Sequence, residues 1–341
     1  MSELQLQQQQ RQQQLAIWAS QSLGISPPTL TSVSGDASFR RYFRFQTVIE
    51  GKPCSIIAVD SPPATEKNTE FCAIRALFAN HQLHVPDLID CDMQQGFFLL
   101  SDLGDTLYLS QLTTQTAEAL YQHAMQALLK IQQIPLNDVQ LPAYNRELLA
   151  FELSLFNDWF LQKHLQLALT PYEKQMLAQT FEQLINNALN QTQVVVHRDY
   201  HSRNLMICAQ QTPGIIDFQD AVTGPVTYDL VSLMKDCYIE WPEHQVKKWS
   251  ENYCQQLHQA AISSQPFTDF YRDFEWMGMQ RHIKVLGIFC RLNYRDNKPQ
   301  YLNDLPLTFR YLINAANQYA EFSEFSAFLA QKIAPHIKMD N

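Results

Sequence analysis

The chain has no C-x-x-C pair, no long apolar run and no surplus of basic residues. Its seven cysteines are scattered and odd in number, which favours reduced thiols over a disulfide framework or a zinc site. No apolar run approaches the roughly 18 residues that cross a bilayer, and the first residues lack a charged-then-apolar signal pattern. The net charge of -9 argues against a broad nucleic-acid or anionic-membrane surface. We therefore expect a cytoplasmic protein with neither nucleic acid nor membrane as a partner, and with an oligomeric state that the sequence leaves open.

A length of 341 residues and 46% hydrophobic composition predict about two domains with a substantial core. Residues 1–14 are a Gln-rich tail, either disordered or the frayed end of a helix; we favour a frayed end without function. Residues 15–104 show strand, strand, helix and strand patterns at 38–45, 55–59, 69–80 and 96–100, which is typical of a small α+β lobe with an antiparallel sheet. Residues 105–341 are mainly helical. The predicted fold is therefore α+β with a small N-terminal lobe and a larger helical C-terminal lobe.

Polar side chains cluster beside three short β-like runs at 194–196, 205–207 and 215–216. Asp199 stands five residues before Asn204, between the first two runs, and Asp217 follows the third. Phosphoryl transfer needs a group that orients a hydroxyl and accepts its proton, and oxygens that hold magnesium across the phosphates. Carboxylate and amide oxygens are suitable magnesium ligands. The spacing therefore indicates a phosphoryl-transfer site.

The motif H-x-D-x-H-x-x-N at 197–204, followed by I-D-F at 216–218, resembles the aminoglycoside phosphotransferase and choline kinase family. Segments 34–44, 228–230 and 281–289 look like one bacterial branch, the anomeric amino-sugar kinases of cell-wall recycling. The resemblance covers nearly the whole chain after the Gln-rich start. It implies a protein-kinase-like fold, ATP and Mg²⁺ as cofactors, and a small sugar substrate phosphorylated at its anomeric hydroxyl.

Carried over position by position, the family pattern makes Asp199 the base that accepts the sugar proton. His201, where protein kinases usually have lysine, shares the catalytic site. Asn204 and Asp217 become magnesium ligands. Two residues would have structural roles. His197 would support the catalytic loop by hydrogen bonds, and Asp229, at the start of a helix, would bond to the same loop.

The nucleotide side is implied by the same resemblance. Four residues of a glycine-containing turn would approach the phosphates: Gly35, Ala37, Ser38 and Phe39. Two residues at the position of the family's inter-lobe hinge would contact adenine through their backbone: Ser101 and Leu103. The turn has one glycine rather than three. Residues 55–60 lack the strand lysine that normally pairs with phosphates. Arg40 and Arg44 share one strand face, so either could supply the missing charge. We assign this role to Arg44. The missing lysine keeps open a pseudokinase that binds nucleotide or a protein without turnover.

The acceptor side is predicted on two helices. In residues 145–159, apolar positions 148, 151, 155 and 159 mark the core stripe. Glu152 and Asp158 would then bind sugar hydroxyls, or simply lie on a solvated face. Arg281 and Lys284 form a basic cluster that suits a substrate carboxylate. An aminoglycoside, choline or another hydroxylated amino compound stays open as the acceptor, although this cluster favours an anionic or neutral molecule.

Overall fold

The computed structural model describes residues 3–33, 39–49, 51–138, 140–209 and 212–337. They form two compact units. The first consists of Met1–Thr106 with Met206–Asp220, and the second of Leu107–Leu205 with Ala221–Asn341. An antiparallel sheet dominates the first and helices dominate the second, so the predicted α+β class is confirmed. No helix in the described ranges is both long and apolar enough to cross a membrane.

The first unit is built on a five-stranded antiparallel sheet in the order β1-β2-β3-β5-β4. Alternate residues of the strands face helix α1, so that Phe43, Ala58 and Leu99 lie side by side in the register and are buried with Leu15. The elements are α1 (Glu3–Leu23), β1 (Thr31–Val33), β2 (Arg41–Ile49), β3 (Lys52–Asp60), α2 (Asn68–Asn80), β4 (Leu88–Asp92) and β5 (Phe97–Ser101).

The Gln-rich segment is not a separate tail. Residues 3–14 are the first turns of α1, and the Arg11 side chain donates to the buried Asp60 carboxylate at 2.9 Å and to the Gln95 carbonyl at 2.8 Å. The expectation of a frayed end without function is therefore revised. A buried carboxylate needs a cation, and Arg11 provides one to the last residue of β3.

Residues 206–220 belong to the first unit, although the division predicted after Gly104 placed them in the second lobe. They contain β8 (Gly214–Ile215), which pairs with β7 (Leu205–Met206). The Ile207 N–H donates to the Thr106 carbonyl and the Ile215 N–H to the His84 carbonyl, each at 2.8 Å. Contacts between residues distant along the chain thus place this segment in the first unit.

The second unit is organised around one long buried helix, α9. Gly287 of this helix lies directly against the backbone of Leu155: a Cβ at position 287 would come within 2.4 Å of the Leu155 carbonyl carbon. This close approach requires glycine. The elements are α3 (Tyr108–Gln111), α4 (Ala117–Gln132), α5 (Arg146–Leu155) with a π-helical continuation (Phe156–His164), α6 (Pro171–Asn190), β6 (Gln193–Val196), β9 (Val222–Pro225), α7 (Tyr228–Met234), α8 (Glu243–Gln259), α9 (Phe267–Asp296), α10 (Leu305–Gln318) and α11 (Ser323–Phe328).

Candidate active site

The catalytic loop, residues 197–204, follows β6 and is held at its start by a buried carboxylate. Asp229, in the first turn of α7, accepts the N–H of His197 at 2.6 Å and that of Arg198 at 3.0 Å. Burial raises the pKa of Asp229 to about 7, while the two N–H donors favour its ionised form. Arg198 has a φ of 76°, in the left-handed region that non-glycine residues seldom adopt. Such outliers are typical of functional turns, and here the turn immediately precedes Asp199.

A second buried carboxylate holds the far side of the loop. Asp236 accepts the Ser202 N–H at 3.0 Å and the Ser202 hydroxyl at 2.5 Å. The sequence reasoning missed Asp236. Asp236 stands two residues beyond the end of α7, and a second aspartate seven positions after Asp229, following the largely apolar run 230–234, was the available signal.

The remaining motif residues orient the loop from within. The fully buried His197 accepts the Asp199 N–H on Nδ1 at 3.3 Å. His201 accepts the Arg203 N–H on Nδ1, also at 3.3 Å. The side-chain amide of Asn204 donates to the Asp199 carbonyl at 3.0 Å, and its nitrogen lies 3.5 Å from His201 Nε2. These contacts bring Asp199, His201 and Asn204 together in the loop. They also fix the planes of the His201 imidazole and the Asn204 amide.

Asp199 lies among positive groups. Burial alone would raise the pKa of its carboxyl, but Lys284, followed by His201 and Arg198, outweighs burial and holds the pKa below the usual value. Asp199 is therefore ionised at neutral pH and can accept a proton, although as a weak base.

Glu152 is the counter-ion of one buried and one partly buried cation rather than an exposed sugar ligand. Its carboxylate lies 2.5 Å from the Arg198 guanidinium and 3.0 Å from Lys284 Nζ, and it accepts the hydroxyl of Tyr144. Only 3% of Glu152 is exposed, whereas Phe151, which the sequence placed in the core stripe, is 56% exposed. The predicted apolar stripe on this helix was wrong in part: Leu155 is buried, but Phe151 is exposed, because adjacent apolar residues allow more than one stripe. We therefore revise Glu152 to a residue that holds the surroundings of Asp199.

The predicted basic cluster is also buried. Arg281 is 4% exposed and donates to Cys237 Sγ at 3.4 Å. Lys284 is 6% exposed and donates to the Tyr228 hydroxyl at 2.9 Å as well as pairing with Glu152. Protein groups thus contact both cations, and the assignment of this basic cluster to a substrate carboxylate is revised. Asp158 is exposed, and its contact with a sugar stays a prediction.

Asp217, the proposed magnesium ligand of the first unit, lies just after β8 with a φ of 64°. Its Oδ1 accepts the side-chain amide of Gln219 at 2.9 Å. The other end of that amide, Gln219 Oε1, is buried and has no hydrogen-bond partner in the described part of the chain. A carboxylate beside an orphaned amide oxygen suits a hard cation. In these same ranges no three His, Cys, Asp or Glu residues gather as a metal site, so most ligands of such an ion would be water or phosphate.

On the nucleotide side, Gly35, Ala37 and Ser38 lie outside the described residues. The Phe39 side chain is exposed, and its N–H donates to Glu66 Oε1 at 2.9 Å. The Leu103 carbonyl accepts the Cys208 thiol at 3.5 Å. The Ser101 N–H donates to the Asp87 carbonyl at 2.9 Å, and the Ser101 hydroxyl accepts the Asp87 N–H at 2.7 Å. Contact of these positions with nucleotide stays a prediction.

Arg44, the predicted replacement for the strand lysine, is bound by two carboxylates. Its guanidinium reaches Asp102 at 2.6 and 2.9 Å and both oxygens of Asp105 at 2.7 Å. The hydrogen bonds that Arg44 donates to Asp102 raise the pKa of its guanidinium further. One positive charge facing two negative charges leaves a local excess of negative charge, which would repel phosphates. We therefore revise the assignment of Arg44.

Comparisons with known proteins identify the family and its relatives. The chain matches the Phosphotransferase enzyme family over residues 29–263. It is 40% identical over 332 residues to an N-acetylmuramate/N-acetylglucosamine kinase of Pseudomonas putida, covering 94% of this chain and 96% of that protein. For a protein of the same name in Neisseria meningitidis the identity is 38%, with 95% and 96% covered. Among solved structures, an ADP-bound aminoglycoside phosphotransferase superposes with a TM-score of 0.57 at 12% identity, covering 87% and 97%. The choline kinase LicA of Streptococcus pneumoniae gives 0.59 at 11% identity, covering 84% and 93%.

Proposed function

The chain belongs to the Phosphotransferase enzyme family, and from that premise we propose that it is an ATP-dependent kinase for the anomeric hydroxyl of N-acetylmuramate or N-acetylglucosamine. The observation that carries the chemistry is an ionised Asp199 in a loop fixed by two buried aspartates. The choice of acceptor is supported by relatives that are about 40% identical over nearly the full chain and are named N-acetylmuramate/N-acetylglucosamine kinases. A role in cell-wall recycling follows from that acceptor.

Asp199 is the proposed base. The acceptor oxygen forms a bond to the γ-phosphorus, the bond between that phosphorus and ADP breaks, and the hydroxyl proton moves to the Asp199 carboxylate. Since phosphoryl transfer needs little covalent help, the contribution of the protein is to orient the hydroxyl and to receive its proton. Lys284 and Arg198 keep the base ionised, while Glu152 keeps these two cations in place.

Magnesium is the proposed cofactor, and bound Mg²⁺ would supply the positive charge that stabilises phosphates during transfer. Asn204 and Asp217 are the proposed ligands. The amide of Asn204 is oriented by its bond to the Asp199 carbonyl, and Asp217 lies beside the orphaned oxygen of Gln219. Both supply the hard oxygen atoms that magnesium prefers.

The weak basicity of Asp199 supports the anomeric position. A carboxylate with a lowered pKa takes a proton most readily from an acidic hydroxyl. The anomeric hydroxyl of a sugar is more acidic than its other hydroxyls. The proposed product is therefore a sugar 1-phosphate.

The test is product identification by phosphorus–proton NMR. The protein is incubated with ATP, magnesium and either sugar, with the Asp199→Asn variant as the enzyme control and the methyl glycoside of N-acetylglucosamine, whose anomeric oxygen is blocked, as the acceptor control. We expect coupling of phosphorus to H1, and no product from the glycoside. Coupling to the C6 protons would refute the anomeric site. ATP binding without product from either sugar would point to another acceptor or to a pseudokinase.

A further inference from the structure

The chain lacks the lysine that pairs with phosphates on the third strand of protein kinases, so another cation must take that place if the proposed function holds. Strand β3 has lysine only at its exposed first position, Lys52. Arg44 is bound by two carboxylates, as described above. Lys67 is 60% exposed at its side chain and pairs with Asp220 at 2.6 Å. These three cations are therefore poor replacements.

Arg40 differs from them in burial and in surroundings. It directly precedes β2 and is 5% exposed. Its Nε lies 3.0 Å from the Ser61 hydroxyl and 3.3 Å from Glu66 Oε2, and its guanidinium lies over the Phe71 ring at 5.2 Å. The guanidinium plane is thus fixed on several sides within the first unit.

Glu66 connects Arg40 to Phe39, the last residue of the predicted phosphate-binding turn. One of its oxygens pairs with Arg40, and the other accepts the Phe39 N–H at 2.9 Å. Glu66 stands just before α2, the helix that follows β3. In protein kinases the strand lysine pairs with a glutamate of the equivalent helix. The Arg40–Glu66 pair joins the same two charges, with Arg40 directly before strand β2 and Glu66 two residues before helix α2.

Asp217 shares the surroundings of Arg40. The Arg40 guanidinium lies over the Phe71 ring at 5.2 Å, and the same ring stacks on Phe218, the residue after Asp217, with ring centroids 5.2 Å apart. A cation in the neighbourhood of a carboxylate that is proposed to bind magnesium is the charge arrangement that a bound nucleoside triphosphate requires.

We propose that Arg40 is the cation that contacts the nucleotide phosphates in place of the strand lysine, and that Glu66 is the positioning residue that holds it. This inference rests on the proposed function, because it presumes a nucleotide ligand. A guanidinium remains charged at any working pH and can bind phosphate oxygens through two parallel N–H groups. The Arg40→Lys variant would retain the positive charge but could not form these two parallel hydrogen bonds.

The experiment compares the affinities of ATP and adenosine by titration calorimetry, with no sugar present. Adenosine carries no phosphate and reports on the base contacts alone. We expect Arg40→Met to weaken ATP binding roughly ten- to more than a hundredfold, as for loss of a charge-assisted contact, while adenosine binding changes less than about twofold. Arg40→Lys should fall between Met and wild type, and it replaces the Met variant if removing the buried charge unfolds the protein. Glu66→Gln should weaken ATP binding selectively, but less than Arg40→Met.

Arg41→Met is the matched control, because the neighbouring Arg41 pairs with Asp60 instead; its ATP affinity should stay within about twofold of wild type. Unchanged ATP binding in Arg40→Met, or equal losses of ATP and adenosine affinity, would overturn the inference. So would an ATP-specific loss in Arg44→Met. Failure to phosphorylate either sugar, with ATP still bound more tightly than adenosine, would instead refute the proposed acceptor and leave Arg40 to be judged on this comparison.

Discussion

Replacing Glu152 by glutamine should destabilise the second unit strongly. Burial alone would raise the pKa of Glu152, but Lys284 and Arg198 outweigh it and hold the carboxyl ionised. Glutamine keeps the size of the side chain and its contact with Tyr144, and it removes only the charge. The buried Lys284 and the partly buried Arg198 would then lack their shared counter-ion.

The magnitude follows from that loss. Removing one partner of a buried ion pair typically costs about 3–5 kcal/mol, because the remaining charge stays buried and uncompensated. For a unit of this size, each kcal/mol lowers the melting temperature by about 2–4 °C, so we expect a decrease of roughly 6–20 °C. Thermal unfolding followed by circular dichroism measures it. Glu147→Gln, which changes an exposed acid on the same helix, is the control and should cost no more than about 1 kcal/mol.

A double-mutant cycle tests the mechanism itself. Glu152→Gln combined with Lys284→Met also removes one of the cations that Glu152→Gln leaves without a counter-ion. The double variant should therefore lose less unfolding free energy than the sum of the losses in the two single variants. A Glu152→Gln protein that melts like wild type but has a much higher KM for the sugar would refute this reasoning. Glu152 would then contact the substrate directly, as the sequence first suggested.

Three further outcomes are expected. Asp199→Asn should lower kcat by about two to four orders of magnitude while calorimetric ATP affinity is kept; near-normal turnover would exclude Asp199 as the base. Asp217→Ala should lose activity that a magnesium titration does not fully restore, and full activity at ordinary magnesium would make Asp217 a structural turn residue. Burial lowers the pKa of His282 from 6.5 to about 3, so the unfolded chain binds a proton that the folded protein does not. The corresponding stability is present above about pH 6.5 and is lost as the pH falls towards 3; between pH 7.5 and 5 the loss is about 2 kcal/mol. His282→Gln should flatten this part of the curve of unfolding free energy against pH, and an unchanged slope would assign it to other groups.

The catalytic loop and the fold class could be predicted from sequence because their signals are local. Asp199 and Asn204 lie five residues apart in one loop between short apolar runs, and that spacing carries the chemistry whatever surrounds it. The strands and helix of the first unit have hydrophobic periods that a short window reveals. Of the strands of its five-stranded sheet, β1 and β4 were missed, and both are edge strands with little buried apolar surface.

Which charged side chains are buried, and against what, was decided by the tertiary structure. Glu152 pairs with Arg198 and Lys284, which are 46 and 132 positions away in the chain, and adjacent apolar residues allowed its helix face to be assigned wrongly. Arg40 and Arg44 share a strand face in the sequence pattern, yet one lies beside Glu66 and the other between two aspartates. The free energy of a charge depends on burial and on neighbours brought close by packing, and neither is encoded in local periodicity.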